Sequence, residues 1–260
     1  MIKKSSTKDL ALKSNERLFL ESKSPFVPKK YSNLKPNKFK IYTFRAGFKK
    51  KLDDLLVIVF DDVVNSASAY SKTSTPSAPI IWDKNNNKGK VKALIVNSGN
   101  ANAHTGKKGI DIINKYVTFL SKLLKCNKSE IFVSSTGVIG ELFDPQLIIN
   151  QISNINNSKT KNIIDAAKSI MTTDTYPKVS IGKTKIENQE VKVYGFAKGS
   201  GMISPNMGTM LVYIFVEAKL SKRLLNKLLN NNLNKTFNSI SVDSDSSTSD
   251  TLCIFSLNYN

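Results

Sequence analysis

Hydroxyls, amides and glycines, with few charges among them, gather in four patches of this sequence. They are Asn97–Gly106 (NSGNANAHTG), Ser134–Gly140 (SSTGVIG), Met171–Lys178 (MTTDTYPK) and Lys198–Leu211 (KGSGMISPNMGTML). Each interrupts the chain just after an apolar, strand-like run. Turn chemistry explains any one of them. Four in one chain point instead to a site assembled from loops on a rigid scaffold. A threonine hydroxyl in such a site is a weak nucleophile until a base takes its proton.

Taken singly, these residues leave plainer readings open. Thr209 opens the apolar run Met210–Val216 and on its own is a strand-starting β-branched residue. Thr136-Gly137 alone is a turn leaving a strand, and Lys198 alone is one more solvated lysine. His104, the only histidine, sits in a polar loop and reads as a surface residue, not a general base. Asp243, Asp245 and Asp250 have the chemistry to hold a hard cation, but they fall in a polar turn region that lines the same pocket, so no metal is expected. Cys126 and Cys253 have neither metal-site spacing nor the density of a disulfide scaffold and are expected to be buried thiols.

Strand-like runs at Leu55–Phe60, Val91–Val96, Ile131–Val133, Val179–Ile186, Glu190–Ala197, Met210–Val216 and Leu252–Leu257 must position the patches. Asn188 and Gln189 mark a hairpin turn. Between the strands lie helical patterns at Gly109–Lys125, from Asp144-Pro145 through Ile152, at Lys161–Met171, and from Ser221 towards Phe237. In Gly109–Lys125, Ile113, Val117, Leu120 and Leu124 share one face. Strands and helices do not alternate regularly, which predicts a layered α/β architecture with substantial antiparallel pairing. Residues 1–38 are rich in Lys, Ser and Pro and read as a poorly ordered basic arm; the core starts near Phe39.

With 260 residues, 40 % of them hydrophobic, the chain is long enough for one large core or two modest ones. No apolar run reaches the roughly 18 to 20 residues that span a bilayer, and Met1-Ile-Lys-Lys does not open a signal peptide, so a cytoplasmic place is expected. The formal charge of +19 invites a nucleic-acid reading. Its distribution argues against one: lysines are spread along the chain, asparagines accompany them as in KLLNNNLNKTF, and no basic run is interleaved with aromatics. Such a field still steers anionic substrates.

In this order, the four patches resemble the signature segments of the glutamate/ornithine N-acetyltransferase family, and Ser241–Thr251 (SVDSDSSTSDT) is similar to that family's Asp- and Thr-rich segment. The resemblance runs from about Phe39 to Phe255. Its most specific part is Lys-Gly-Ser-Gly-Met-Ile-x-Pro-Asn-Met-x-Thr-Met-Leu. It implies an α/β layered sandwich with mixed and antiparallel sheets, shared with self-processing aminopeptidases, and a precursor that cuts itself between Gly208 and Thr209. Thr209 would then supply a nucleophilic hydroxyl and, as base, an α-amine whose pKa of about 7.7 to 8.0 suits neutral pH.

By the same resemblance Thr136 and Gly137 form the oxyanion-stabilising pair, and Thr175, Lys198 and Thr209 contact the acylated amino-acid substrate. Residues 39–208 correspond to the first chain and 209–260 to the start of the second, whose remainder the family carries beyond the position of Asn260. The implied reaction moves acetyl from N-acetylornithine to glutamate without a cofactor, with acetyl-CoA as a further donor in some members and an α/β heterodimer pairing into a heterotetramer. Gly208 stands where the family usually has alanine, a small-for-small change under which cleavage is expected to survive. A related aminopeptidase or amidase, which passes its acyl group to water, and an uncleaved, inactive fragment are the alternatives.

Overall fold

The computed structural model describes residues 36–202, 210–243, 245 and 247–257. The basic arm before residue 36, and Gly208 and Thr209, lie outside them. Among the described residues are eight strands: β1 (Phe39–Phe44), β2 (Leu55–Tyr70), β3 (Lys90–Asn100), β4 (Ile131–Val138), β5 (Lys178–Ile186), β6 (Gln189–Lys198), β7 (Leu211–Val216) and β8 (Thr251–Ser256). Five α-helices join them: α1 (Ala78–Asn86), α2 (Gly106–Leu124), α3 (Gln146–Ile152), α4 (Ile163–Ile170) and α5 (Lys222–Leu233).

The strands form one sheet in the order β4-β3-β2-β8-β7-β6-β5, with β1 paired to β2. The β3–β4 and β7–β8 pairs are parallel, the rest antiparallel. The sheet does not lie flat. Two strands separate β4 from β8, so a flat sheet would hold them roughly 14 Å apart at about 4.8 Å per step; yet the Phe132 and Phe255 ring centroids are 6.3 Å apart. Likewise Phe39 on β1 stacks on Phe215 of β7 at 4.5 Å, although no ladder joins the two strands.

The fold-over occurs along β2. Its first residues pair with β1 and β3, its register slips between Val59 and Val64, and residues 65–70 pair with β8. Such a slip bends a strand and raises its twist. Leu56, Ile58 and Phe60 therefore face the aromatic interior, while Leu55 and Val57 face helices. A run buried on both sides reads as unbroken hydrophobic sequence, as LLVIVF does.

Helices close the outer faces. On one half, Ile113, Tyr116, Val117 and Leu120 of α2 pack with α1 and α3 against Val57, Ile95 and Val133. On the other, Leu225 and Leu229 of α5 cover Val212, Leu252 and Ile254. The expected layered sandwich is thus present. The β5–β6 hairpin turns at Glu187 and Asn188, both at positive φ, one residue earlier than expected. Three features are additional: β1 forms ahead of the first expected strand, β2 runs ten residues past its apolar start, and α1 forms where Pro79 and an asparagine-rich tail mask any period.

α1 also supplies a buried carboxyl. β4 is an edge strand, and Asp83 Oδ1 accepts the Val133 N–H at 3.1 Å in place of a strand neighbour. Among the described residues Asp83 Oδ2 accepts no hydrogen bond. Burial pushes this carboxyl well above the usual carboxylate range, and the Val133 N–H offsets only part of that. Because the folded value exceeds the unfolded one, the contribution to stability is full below the unfolded pKa and is lost as pH rises towards the folded one. Asp83→Asn keeps an acceptor for Val133 and cannot ionise, so thermal melts are expected to favour it over wild type more at pH 9 than at pH 5; an equal difference at both would refute this assignment.

Candidate active site

The end of β4 carries Ser134, Ser135 and Thr136, all buried, followed by Gly137. Gly137 has φ +133°, and a Cβ there would lie 2.2 Å from the carbonyl carbon of Gly99 on β3. Gly99 has φ +115° and would in turn push a Cβ to 2.7 Å from Phe48 O. Three backbones thus meet where only glycine fits. The ladder is irregular here, with Asn100 opposite both Thr136 and Val138.

The asparagine-rich loop braces this turn. Ser135 Oγ donates to Asn97 Oδ1 at 2.6 Å, and Asn97 Nδ2 donates to Asn100 O at 2.8 Å. Asn100 Nδ2 donates to Glu141 O at 3.0 Å, and Ala101 N donates to Val138 O at 2.8 Å. His104 is exposed at φ 59°, outside this bracing.

A bonded path leads from β3 to the second half of the site. Ser98, paired with Thr136 in the ladder, donates its hydroxyl to Ser169 O near the end of α4 at 2.6 Å. Lys49 Nζ donates to the same carbonyl at 3.0 Å and to Met171 O at 3.1 Å, a cation placed where a helix C-terminus favours one. The loop that carries Lys49 is held by buried Asp54, whose carboxylate accepts from Ala46 N, Gly47 N and Lys49 N at 2.6, 3.1 and 2.8 Å. Burial lowers the Lys49 ammonium to about 8 against the pull of Asp54, Asp53 and Asp174.

From Met171 the chain enters the third patch. Lys198, at the end of β6, is 2 % exposed and donates to Thr172 Oγ1 at 3.3 Å. The structure therefore brings Thr172 onto Lys198, whereas Thr175 is exposed. Asp174 lies buried between the two segments, accepting from Gly199 N at 2.8 Å and pairing with Lys178. Burial alone would push Asp174 up; the bonds from Lys178, Gly199 and Thr172 outweigh it and hold the carboxyl below its ordinary value. Burial drives Lys198 down to about 8, although Asp174 and Asp250 pull it back and Lys178 and Lys49 add to the fall.

Lys198 pairs with Leu211 on β7, and Leu211 with Thr251 on β8. The strand ends of β6, β7 and β8 therefore converge just after the position of Thr209. Asp250, fully buried, accepts the Met210 N–H on Oδ1 at 2.7 Å. Burial raises its carboxyl to about 8, with the Met210 bond, Lys198 and Ser247 opposing. Asp243 accepts from Met202 N at 2.5 Å and from Asp245 N at 3.4 Å, so these aspartates serve backbone groups. Spacing could not have singled out Thr172, because the MTTDTYPK segment follows neither a strand nor a helix period. Lys49 carries no signal in so lysine-rich a chain.

A family model described as the ArgJ family matches residues 40–259. The arginine biosynthesis bifunctional protein ArgJ of Mesorhizobium japonicum is 43 % identical over 236 residues, covering 89 % of this chain and 57 % of that protein. Its counterpart from Rhizobium meliloti is 40 % identical over 90 % of this chain and 58 % of its own length. The chain thus spans somewhat more than half the length of the curated relatives it matches. Among solved structures, the ArgJ protein of Bacillus halodurans aligns with TM-score 0.60 at 33 % identity, over 67 % of this chain and 91 % of that one. The ornithine acetyltransferase of Mycobacterium tuberculosis, solved with ornithine, shares the fold with TM-score 0.54 at 23 % identity, over 68 % of this chain and 94 % of its own.

The contact between Gly137 and Gly99 is open to a direct test. Gly137→Ala adds a methyl against backbone, whereas Gly140→Ala, at φ +88° with open space around it, adds only left-handed strain. Such strain is of order 1–3 kcal/mol. In urea unfolding Gly137→Ala is expected to lose at least about 1 kcal/mol more than Gly140→Ala. Equal losses would mean that the close approach does not constrain the strand ends.

Proposed function

Because the chain belongs to the ArgJ family, we propose that it is a self-cleaving acetyltransferase that moves an acetyl group from N-acetylornithine to glutamate, with Thr209 as nucleophile. The observation that carries this reading is the buried Lys198, a cation set among hydroxyls and glycines and paired across the ladder with the strand that follows Thr209.

Self-cleavage starts when Thr209 Oγ adds to the Gly208 carbonyl. The C–N bond breaks as the departing amine takes a proton, and water hydrolyses the resulting ester. A carboxylate is left on Gly208, with a hydroxyl and an amine on Thr209. In turnover the amine takes the hydroxyl proton, Oγ attacks the acetyl carbonyl, and the Thr136 hydroxyl and Gly137 N–H stabilise the oxyanion. Ornithine leaves with the proton on its amine. The glutamate amine then attacks the acetyl-threonine and releases N-acetylglutamate.

Lys198 holds the substrate carboxylate as a point charge. Thr175 is the family-matched second contact, and the geometry favours Thr172 beside it. The pair of chains, residues 39–208 and 209–260, forms an α/β heterodimer that assembles into a heterotetramer in the cytoplasm. Acetyl-CoA serves as a second donor, and the transfer requires no cofactor or metal. Among the described residues no helix is long and apolar enough to cross a membrane.

Intact-mass analysis of the purified chain is expected to give two pieces that meet between Gly208 and Thr209, and one uncut chain for Thr209→Ala. A folded wild type that stays whole would refute the proposal, and acetyl passing to water equally with and without glutamate would favour the amidase alternative.

Lys198 sets the pH dependence of substrate binding. It carries its charge below about 8, so KM for N-acetylornithine is expected to rise as pH climbs through that value. Lys198→Met should raise KM at every pH and abolish this dependence. An unchanged alkaline rise in the variant would remove Lys198 from the role.

A further inference from the structure

Lys49 has no part in the chemistry above, yet it is tied into the fold more firmly than a helix cap requires. Residues 171–177, between α4 and β5, form neither helix nor strand. No ladder therefore fixes Thr172, whose hydroxyl accepts from Lys198 at 3.3 Å. Lys49 Nζ bonds the carbonyls on both sides of Ile170, Ser169 O at 3.0 Å and Met171 O at 3.1 Å. Met171 O and the Thr172 N–H belong to one planar peptide group, so holding the first orients the second. That N–H donates to Asp174 Oδ2 at 3.3 Å.

The grip is referred to the sheet. Asp54, which directly precedes β2, takes the Ala46, Gly47 and Lys49 N–H groups on its carboxylate. Its backbone carbonyl takes the Ser98 N–H of β3 at 2.8 Å, and Ser98 Oγ donates to Ser169 O at 2.6 Å. Ser169 O thus receives two donors that are both anchored on Asp54. Placing an ammonium here is unfavourable: burial lowers Lys49 to about 8, although Asp54, Asp53 and Asp174 pull it up. A helix end alone is served by an exposed lysine.

We propose that Lys49 is a positioning residue for the carboxylate subsite: by holding Ser169 O and Met171 O it sets Thr172 against Lys198, and so fixes where the Lys198 ammonium points. The inference rests on the reading of Lys198 as the cation that holds the substrate carboxylate. The charged groups around Lys198 are Asp174, Asp250, Lys178 and Lys49. Asp174 keeps its own bonds to Lys178 and Gly199 without Lys49, so the loss of Lys49 falls on Met171 and Thr172.

Ornithine, the product that carries the same carboxylate, probes this without turnover. Calorimetric titration of the purified full chain gives its Kd and the fraction of binding-competent protein separately. Lys49→Met is expected to raise Kd about tenfold, the scale of one charged hydrogen bond, with the stoichiometry of wild type. Thr172→Val removes the other end of the link and should raise Kd by a similar factor. The double variant should then bind no more than about twofold worse than the weaker single one. Factors that multiply in the double variant overturn the proposal, and so does a Lys49→Met protein that loses stoichiometry or melting temperature at wild-type Kd.

If Lys49→Met does not fold, Lys49→Gln, which keeps two N–H donors on a shorter side chain, takes its place in the same cycle with the same outcomes. Lys198→Met separates the two levels of the argument. If it leaves Kd unchanged, or if wild type takes up no ornithine, the reading of Lys198 fails and this proposal with it. If it weakens binding while the Lys49 variant does not, this proposal alone fails.

Discussion

The arrangement depends on a sheet that folds back on itself and is held shut by aromatic rings. Phe39, Phe60, Phe132, Tyr194, Phe196, Phe215 and Phe255 come from six different strands and meet inside one core. Each ring removes a large apolar area from water, and offset or tilted contacts add to that. Without the slip in β2, strands β4 and β6 would stand at distant places in one flat layer. With it, the end of β4 that carries Thr136 and the end of β6 that carries Lys198 are linked by two hydrogen bonds, Ser98 to Ser169 O and Lys198 to Thr172, with the short run of chain from Ser169 to Thr172 between them.

That scaffold supports charges which would not survive burial singly. Lys198, Asp174 and Asp250 are each nearly or wholly shielded. Asp174 is compensated by three donors and stays anionic, whereas Asp250 has fewer and Lys198 has one hydroxyl. Desolvation pulls the lysine and Asp250 towards neutrality while their mutual attraction opposes it. Both are therefore held near the pH at which an amine or carboxyl changes state, the condition that acid–base chemistry needs. Lys49 adds a further cation close by and, through the carbonyls of Ser169 and Met171, fixes the segment on which Thr172 and Asp174 stand.

Much of this is legible in the sequence, and the parts that are not share a physical cause. The β5–β6 hairpin, the α2 face and the β7 run announce themselves because burial on one or both sides imposes a period or an unbroken apolar stretch. The second half of β2, with its Asp, Asn and Ser, does not, since its place is set by pairing with β8, far along the chain. The segments that hold Thr136, Gly137 and Lys198 stand out in the sequence by their glycines and hydroxyls. Thr172 does not, because which of three threonines in an irregular segment reaches a lysine depends on how α4 ends, and that depends on Ser98 and Lys49, each remote in sequence. In the sequence Asp250 is one acid of a polar turn, and only the fold brings its carboxyl onto the Met210 N–H.

The strand order bears directly on whether a chain cut before residue 209 would hold together. β7, the first strand after that point, is not an edge. It pairs with β6 from Val193 to Lys198 on one side and with β8 from Thr251 to Ser256 on the other, and Leu211, Val212, Tyr213, Phe215 and Val216 are buried. Severing the backbone ahead of it removes no ladder bond among the described residues, so the two pieces would remain one body by the interactions that fold the intact chain. Met210 and Leu211 are confined from three directions. Register with Lys198 sets one, register with Thr251 sets another, and the carboxyl of Asp250 on the Met210 N–H sets the third. The orientation of Met210 and Leu211 is thus determined by the sheet and not by the segment that precedes them.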